Sequence, residues 1–176
     1  MENFKTGTIL GTGAAVNVSL GYVPDYVEVF NCTDGDKIFG WFRGKVIAFT
    51  SGGTHEIVAG ETIVGATSGI EALVKEVLLS SGTWAGGDAA GFLLCNEDDM
   101  TGSFGSENVY VGTGTNDATV VAEVENGYDI DDAVAPVTSN GISSYVGTTA
   151  LAKGFTIGTG VSEAAKLLRY VAFRNI

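Results

Sequence analysis

Glycine sets the terms for this chain. It fills 26 of 176 positions, against two prolines, about twice the roughly 7% share of an average chain. The glycines follow no collagen-like period. They stand between short apolar, β-branched runs, where they supply the positive-φ geometry of tight turns. Within a helix interior each would cost ~1 kcal/mol relative to alanine. Short alternating runs separated by glycine turns predict many short strands and little helix.

The segment TILGTGAAV, residues 8–16, tests that reading. Gly11 and Gly13 resemble the glycine fingerprint that seats a dinucleotide pyrophosphate at a helix N-terminus. A helix must then follow. Instead Ala14, Val16, Val18 and Leu20 alternate with Ala15, Asn17 and Ser19, which is strand periodicity. Val16 also fills the third fingerprint position, where a small residue is needed. The glycines are therefore read as turn residues, and no cofactor is expected.

Further strands are expected at Tyr26–Phe30, at Lys37–Arg43 with Val46–Phe49 as a hairpin bending near Gly44, at Gly154–Ile157 and at Leu167–Arg174. Turns are expected at Gly21–Asp25, where Pro24 fixes φ, and at Thr33–Asp36, with Asp-Gly at its centre. Residues 68–78 pose a conflict. Ile70, Leu73, Val74, Val77 and Leu78 have helical spacing, and Ser68 with Glu71 has capping-box spacing. An internal repeat opposes this: Glu61–Thr67 resembles Glu107–Thr113, and Leu73–Val77 resembles Val120–Val124, which is β-branched and alternating. A strand over 72–79 is favoured, with helix as the alternative. The predicted organisation is an N-terminal arm at 1–12, a body of 13–50 plus 142–176, an inserted module at 51–127 built from a repeated β-hairpin, and a loop at 128–141. The fold class is all-β, a β-sandwich with that inserted or appended module.

Charge and chemistry narrow the function. The net charge of −12 opposes binding to a phosphate backbone, so no nucleic acid is expected. No apolar run reaches the ~18–20 residues of a membrane span, and the N-terminal residues lack the pattern of a signal peptide. Cys32 and Cys95 form no CxxC pair, and His55 is the sole histidine, so no metal is expected. Two reduced thiols and a Cys32–Cys95 bridge both fit the sequence. The acids Glu97-Asp98-Asp99 and Asp129, Asp131, Asp132 lack EF-hand spacing and read as solvated loops. No nucleophile motif accompanies His55. An enzyme is not expected.

Two phrases carry a likeness: GYVPDYVEV at 21–29, and GFTIG at 154–158 with YVAFR at 170–174. With the turn-rich SGTWAGGDAAG at 81–91 and TGSF at 101–104, they make the chain resemble the capsid decoration (cement) and head accessory proteins of tailed bacteriophages. The resemblance implies a jelly-roll or tulip-like sandwich, a homo-oligomer with trimer favoured, the major capsid protein as partner, and a place on the outer capsid surface after assembly in the host cytoplasm. It implies no catalytic residues. Subunit or capsid contacts are assigned to Phe4 and Lys5 in the arm and to the aromatics Trp41, Phe42 and Trp84. Phe39 and Trp41 share one strand face and Phe42 the other, so one face is expected to lie outside the core. The alternative function is a head- or tail-fibre-type receptor- or glycan-binding module.

Overall fold

The computed structural model describes residues 3–53, 55–114, 116–124, 127–131, 133–136 and 140–175; within β10, β11 and β12 the side chains of residues 122, 124, 128–131 and 133–136 are not described. The described elements are all β, apart from a one-turn 3-10 helix at Glu97–Asp99. In chain order the strands are β1 (Phe4–Leu10), β2 (Val16–Ser19), β3 (Tyr26–Asn31), β4 (Ile38–Phe42), β5 (Lys45–Gly52), β6 (Thr62–Gly65), β7 (Glu71–Ser81) and β8 (Ala89–Cys95). They continue as β9 (Glu107–Val111), β10 (Ala118–Val124), β11 (Gly127–Asp131), β12 (Ala133–Pro136), β13 (Ile142–Tyr145), β14 (Gly154–Ile157) and β15 (Leu167–Phe173).

The chain divides into two compact units, Met1–Arg43 with Glu125–Ile176, and Gly44–Val124. The first unit holds a six-stranded sheet ordered β1-β15-β3-β4-β11-β12 and a three-stranded sheet ordered β13-β14-β2. Both sheets feed one core: Val27, Val29, Trp41 and Leu168 from the larger, Phe155 and Ile157 from the smaller. The alternation seen in the sequence explains this sharing, because every second residue of β3 points inward.

The second unit is a closed barrel, β10-β5-β8-β7-β6-β9. Closure leaves no strand edge. Ile47, Phe49, Ile63, Val74, Leu93 and Val109 fill its interior and are almost fully buried.

Several expectations are corrected. Residues 4–10 of the expected arm form β1, paired along its whole length with β15; residues 1–2 lie outside the described residues. The Lys37–Phe49 segment is no hairpin. β4 pairs with β3 and β11, whereas β5 pairs with β8 and β10 in the barrel. The unit boundary therefore falls at Gly44, not at 50/51. The expected loop at 128–141 contains the β11–β12 hairpin and the β11–β4 pairing, while 137–139 lie outside the described residues.

Residues 71–81 are a strand. The helical spacing there has a specific cause: β7 carries irregularities between Val74 and Glu76 and between Leu79 and Ser81. Each extra residue breaks the two-residue period, and a bulged strand imitates a helix in projection. The segments 61–67 and 107–113 lie on β6 and β9, which pair antiparallel with Ile63 opposite Val111.

Candidate functional site

Gly11 and Gly13 resolve first. The Gly11 N–H donates to the Lys166 carbonyl at 2.8 Å and the Gly13 N–H to the Ser162 carbonyl at 2.7 Å. A Cβ on Gly11 would overlap the Glu163 carbonyl oxygen, and Gly13 has φ +76°. Gly11 is required by its close backbone approach to the 162–166 turn, and Gly13 by its positive φ.

The surface feature that stands apart is a row of aromatic rings on the outer face of the six-stranded sheet. Register creates it. Phe4 lies opposite Phe173, Phe173 opposite Tyr26, and Tyr26 opposite Phe42. Their ring centroids are spaced 6.2, 4.9 and 4.9 Å apart, with interplanar angles of 13°, 20° and 52°. Cross-strand aromatic pairs of this kind add ~0.5–1.5 kcal/mol each beyond their burial. Yet Phe4 remains 56% exposed and Phe42 54% exposed. Phe30 and Val171 extend the apolar surface along the same face, and it carries Glu28 and Arg169.

The row is held in place from its end. Asp25 follows the turn that precedes β3. Its Oδ2 accepts from the Asn175 N–H at 2.8 Å, and its Oδ1 lies 3.5 Å from Arg43 Nη1. One carboxylate thus ties the chain just after Phe173 to the chain just after Phe42. The Tyr26 hydroxyl donates to Glu28 Oε2 at 3.0 Å, which fixes its ring. Beneath the row, Val27, Ala172 and Trp41 pack into the core.

The expected contact residues separate into two groups. Phe4 and Phe42 meet the outer face and join one row through Phe173 and Tyr26. Lys5, next to Phe4, alternates to the other side of β1 and is half-buried. Trp41 and Trp84 are corrected to core residues, 2% and 7% exposed. Trp41 shares the inward face of β4 with Phe39, as alternation requires. Trp84 belongs to a turn, yet its ring folds back over Gly52 and stacks on Phe49 at 5.2 Å and 10°. Only a residue without a side chain at 52 leaves that space. Tyr26 and Phe173 were missed by sequence reasoning. Their signal was an aromatic at one end of each alternating run.

Cys32 and Cys95 are both free thiols. Burial, with the Glu123 charge adding to it, pushes the Cys95 thiol up to about 12, which leaves it unreactive as a nucleophile. His55 Nε2 lies 2.9 Å from Glu61 Oε1 on an exposed turn. The Val58 N–H, aided by His55 and opposed by partial burial, holds Glu61 below its ordinary value. Glu97–Asp99 form the 3-10 turn capped by Asn96. The side chains of Asp129, Asp131 and Asp132 lie outside what is described. Among the described residues no three His, Cys, Asp or Glu side chains converge as a metal would need. The chain matches no protein-family model, no curated protein and no solved structure.

Proposed function

We propose that this chain is a non-enzymatic structural protein of a phage particle, which binds the outer capsid lattice and stabilises it in the manner of a decoration protein. The observation that carries this reading is the exposed aromatic row Phe4–Phe173–Tyr26–Phe42. Partly solvent-facing rings arrayed on a paired sheet suit an interface anchor, since aromatics dominate interface hot spots and contiguous exposed apolar patches mark interaction surfaces. The body is read as a β-sandwich of the two sheets that share a core, and the barrel as the module with repeated hairpins. The partner is the major capsid protein, and many weakly stabilising copies would sum across the lattice.

The test mixes purified protein with undecorated expanded capsids. Saturable binding and a gain in capsid heat resistance are expected, with both lost in Phe42→Ala/Phe173→Ala. Absence of saturable binding by the wild-type chain refutes the reading. A glycan-binding module is the second reading, favoured by the same rings, which suit stacking on sugar faces. Because Trp41 and Trp84 are buried, tryptophan quenching is the wrong readout for it. A glycan array decides, and a flat response excludes that reading.

A further inference from the structure

The six-stranded sheet has two edges, and they differ. β12 has four residues and ends in Pro136, whereas β1 has seven, with neither proline nor bulge. The edges of the three-stranded sheet, β13 and β2, have four residues each, and the barrel has none. β1 is the longest unpaired edge among the described residues. Natural proteins usually blunt such an edge.

The direction of its free hydrogen-bonding groups can be read from its pairing with β15. The Arg174 N–H donates to the Asn3 carbonyl, and the Gly11 N–H to the Lys166 carbonyl. The register between those points is unbroken. In an antiparallel ladder such bonds fall on alternate residues. Residues 5, 7 and 9 therefore turn their main-chain groups toward β15, and Phe4, Thr6, Thr8 and Leu10 turn theirs outward. The inner side of the strand is covered: the Tyr170 ring lies on Gly7 and meets Phe155 edge-on at 5.2 Å.

The sequence of this edge is nearly symmetric about its centre. Phe4-Lys5-Thr6-Gly7-Thr8-Ile9-Leu10 reads apolar, x, Thr, Gly, Thr, x, apolar from either end. We propose that β1 is a self-association edge, on which a second copy of this chain pairs antiparallel about a two-fold axis through Gly7. Phe4 then faces Leu10 of the partner copy, and Thr6 faces Thr8. These are the residues with outward main-chain groups, so every one of those groups is matched. A shift of two residues in either direction leaves an end pair unmatched. Facing threonines are favourable cross-strand pairs.

Charge supports the same occupant. The chain carries −12 overall, but β1 contains no acid. Its one charge, Lys5, faces Ile9 of the partner copy. The two lysines lie four strand positions apart, roughly 14 Å, which exceeds the ~8–10 Å screening length at ordinary salt. The pairing also joins the outer faces of the two copies, with Phe4 of one row beside Leu10, itself 65% exposed. This contact is isologous and closes as a dimer, where the resemblance implies a trimer. It stands on the edge geometry and not on capsid binding.

Sedimentation of the wild-type chain from low to high micromolar concentration should show a shift from one to two chain masses. Thr6→Pro removes only an outward N–H, which an edge strand tolerates, and should stay monomeric with its strand spectrum intact. A wild-type chain that stays monomeric, forms a trimer, or dimerises equally as folded Thr6→Pro overturns the proposal. If that variant fails to fold, hydrogen exchange on the wild type decides. The Thr6 and Thr8 amides should slow by about tenfold or more as concentration rises, while Gly7 and Ile9 stay protected throughout. Concentration-independent exchange at Thr6 and Thr8 overturns it. A monomeric chain that binds capsids removes this pairing alone, and a dimer that ignores capsids removes the lattice reading alone.

Discussion

Two aromatic stacks divide the molecule. In the barrel, Phe49 and Trp84 stack at 5.2 Å and are buried. On the six-stranded sheet, Phe173 and Tyr26 stack at 4.9 Å within a row whose ends face solvent. The ring geometry is similar, but the consequence differs. A buried stack contributes dispersion and burial to its own unit, whereas a half-exposed one leaves part of its apolar surface to solvent. The barrel closes on itself and has no edge. The open sheet keeps both a face and an edge.

The largest expected effect breaks the buried stack. Trp84→Ala should cost ~3–5 kcal/mol, as large-to-small core changes do, read by urea denaturation. A loss no greater than that of Phe42→Ala would erase the contrast between the two stacks. Next comes Gly52→Ala, whose new methyl overlaps the Trp84 ring. Overpacking of this kind costs ~1–3 kcal/mol. It should be largely relieved in the Trp84→Ala background, so the double variant is markedly non-additive.

Phe42→Ala should be milder for stability, ~1 kcal/mol, since it removes one partly exposed ring pair. Its effect should appear in capsid binding, which weakens at least about tenfold if the row is a hot spot. Equal binding by the variant would move the interface elsewhere.

The smallest effects are electrostatic. Glu107 caps the β6–β7 turn, its Oε2 accepting from the Thr67 and Ser68 N–H groups at 2.9 Å. Partial burial raises its pKa, but the hydrogen bonds from Ser68 and Thr67 outweigh burial and hold it below its ordinary 4.5. A lowered folded-state value means stability that is present above pH 4.5 and lost as pH falls through the folded pKa. Glu107→Gln should flatten that acid limb by a few tenths to ~1 kcal/mol, because solvent screens an exposed group. The sheet-bearing unit has a different profile. Lys166 Nζ lies 2.6 Å from Asp34 Oδ1; their hydrogen bond, largest among the causes, lowers Asp34 and raises Lys166. That pair loses its contribution at both extremes, as pH falls through the Asp34 value and as it rises through the Lys166 value. Thermal melts across pH should show the alkaline limb shrink in Lys166→Met, leaving the part set by the partly buried Tyr170 hydroxyl, and stay unchanged in Glu107→Gln.

Much of the fold was legible. The runs Tyr26–Phe30 and Leu167–Arg174 were legible as strands, and the glycines marked the turns. The strand favoured at 72–79 is there, although the bulges in β7 mixed two periods and so 68–78 also offered a helix. Lys37–Phe49 looked like a hairpin because adjacent strands usually pair, yet β5 found better partners in β8 and β10. Trp84 looked exposed because turns usually are, and the space at Gly52 reversed that. In the candidate site, Phe4 and Phe42 were nameable from the sequence, but Phe173 and Tyr26, the rings that connect them, were not.

By itself the sequence determined the class of structure and which side of each strand is apolar, because side-chain direction follows a two-residue period that any reader of the chain can count. The near-symmetry of residues 4–10 about Gly7 is also written in the sequence, but not that they form an edge strand. What only the tertiary structure decided is register between strands far apart in the chain. Phe4 meets Phe173 across nearly the full sequence. Nothing local selects that partner. It is chosen when two apolar faces must close over one core, and a slip of one residue would turn the aromatic row inward.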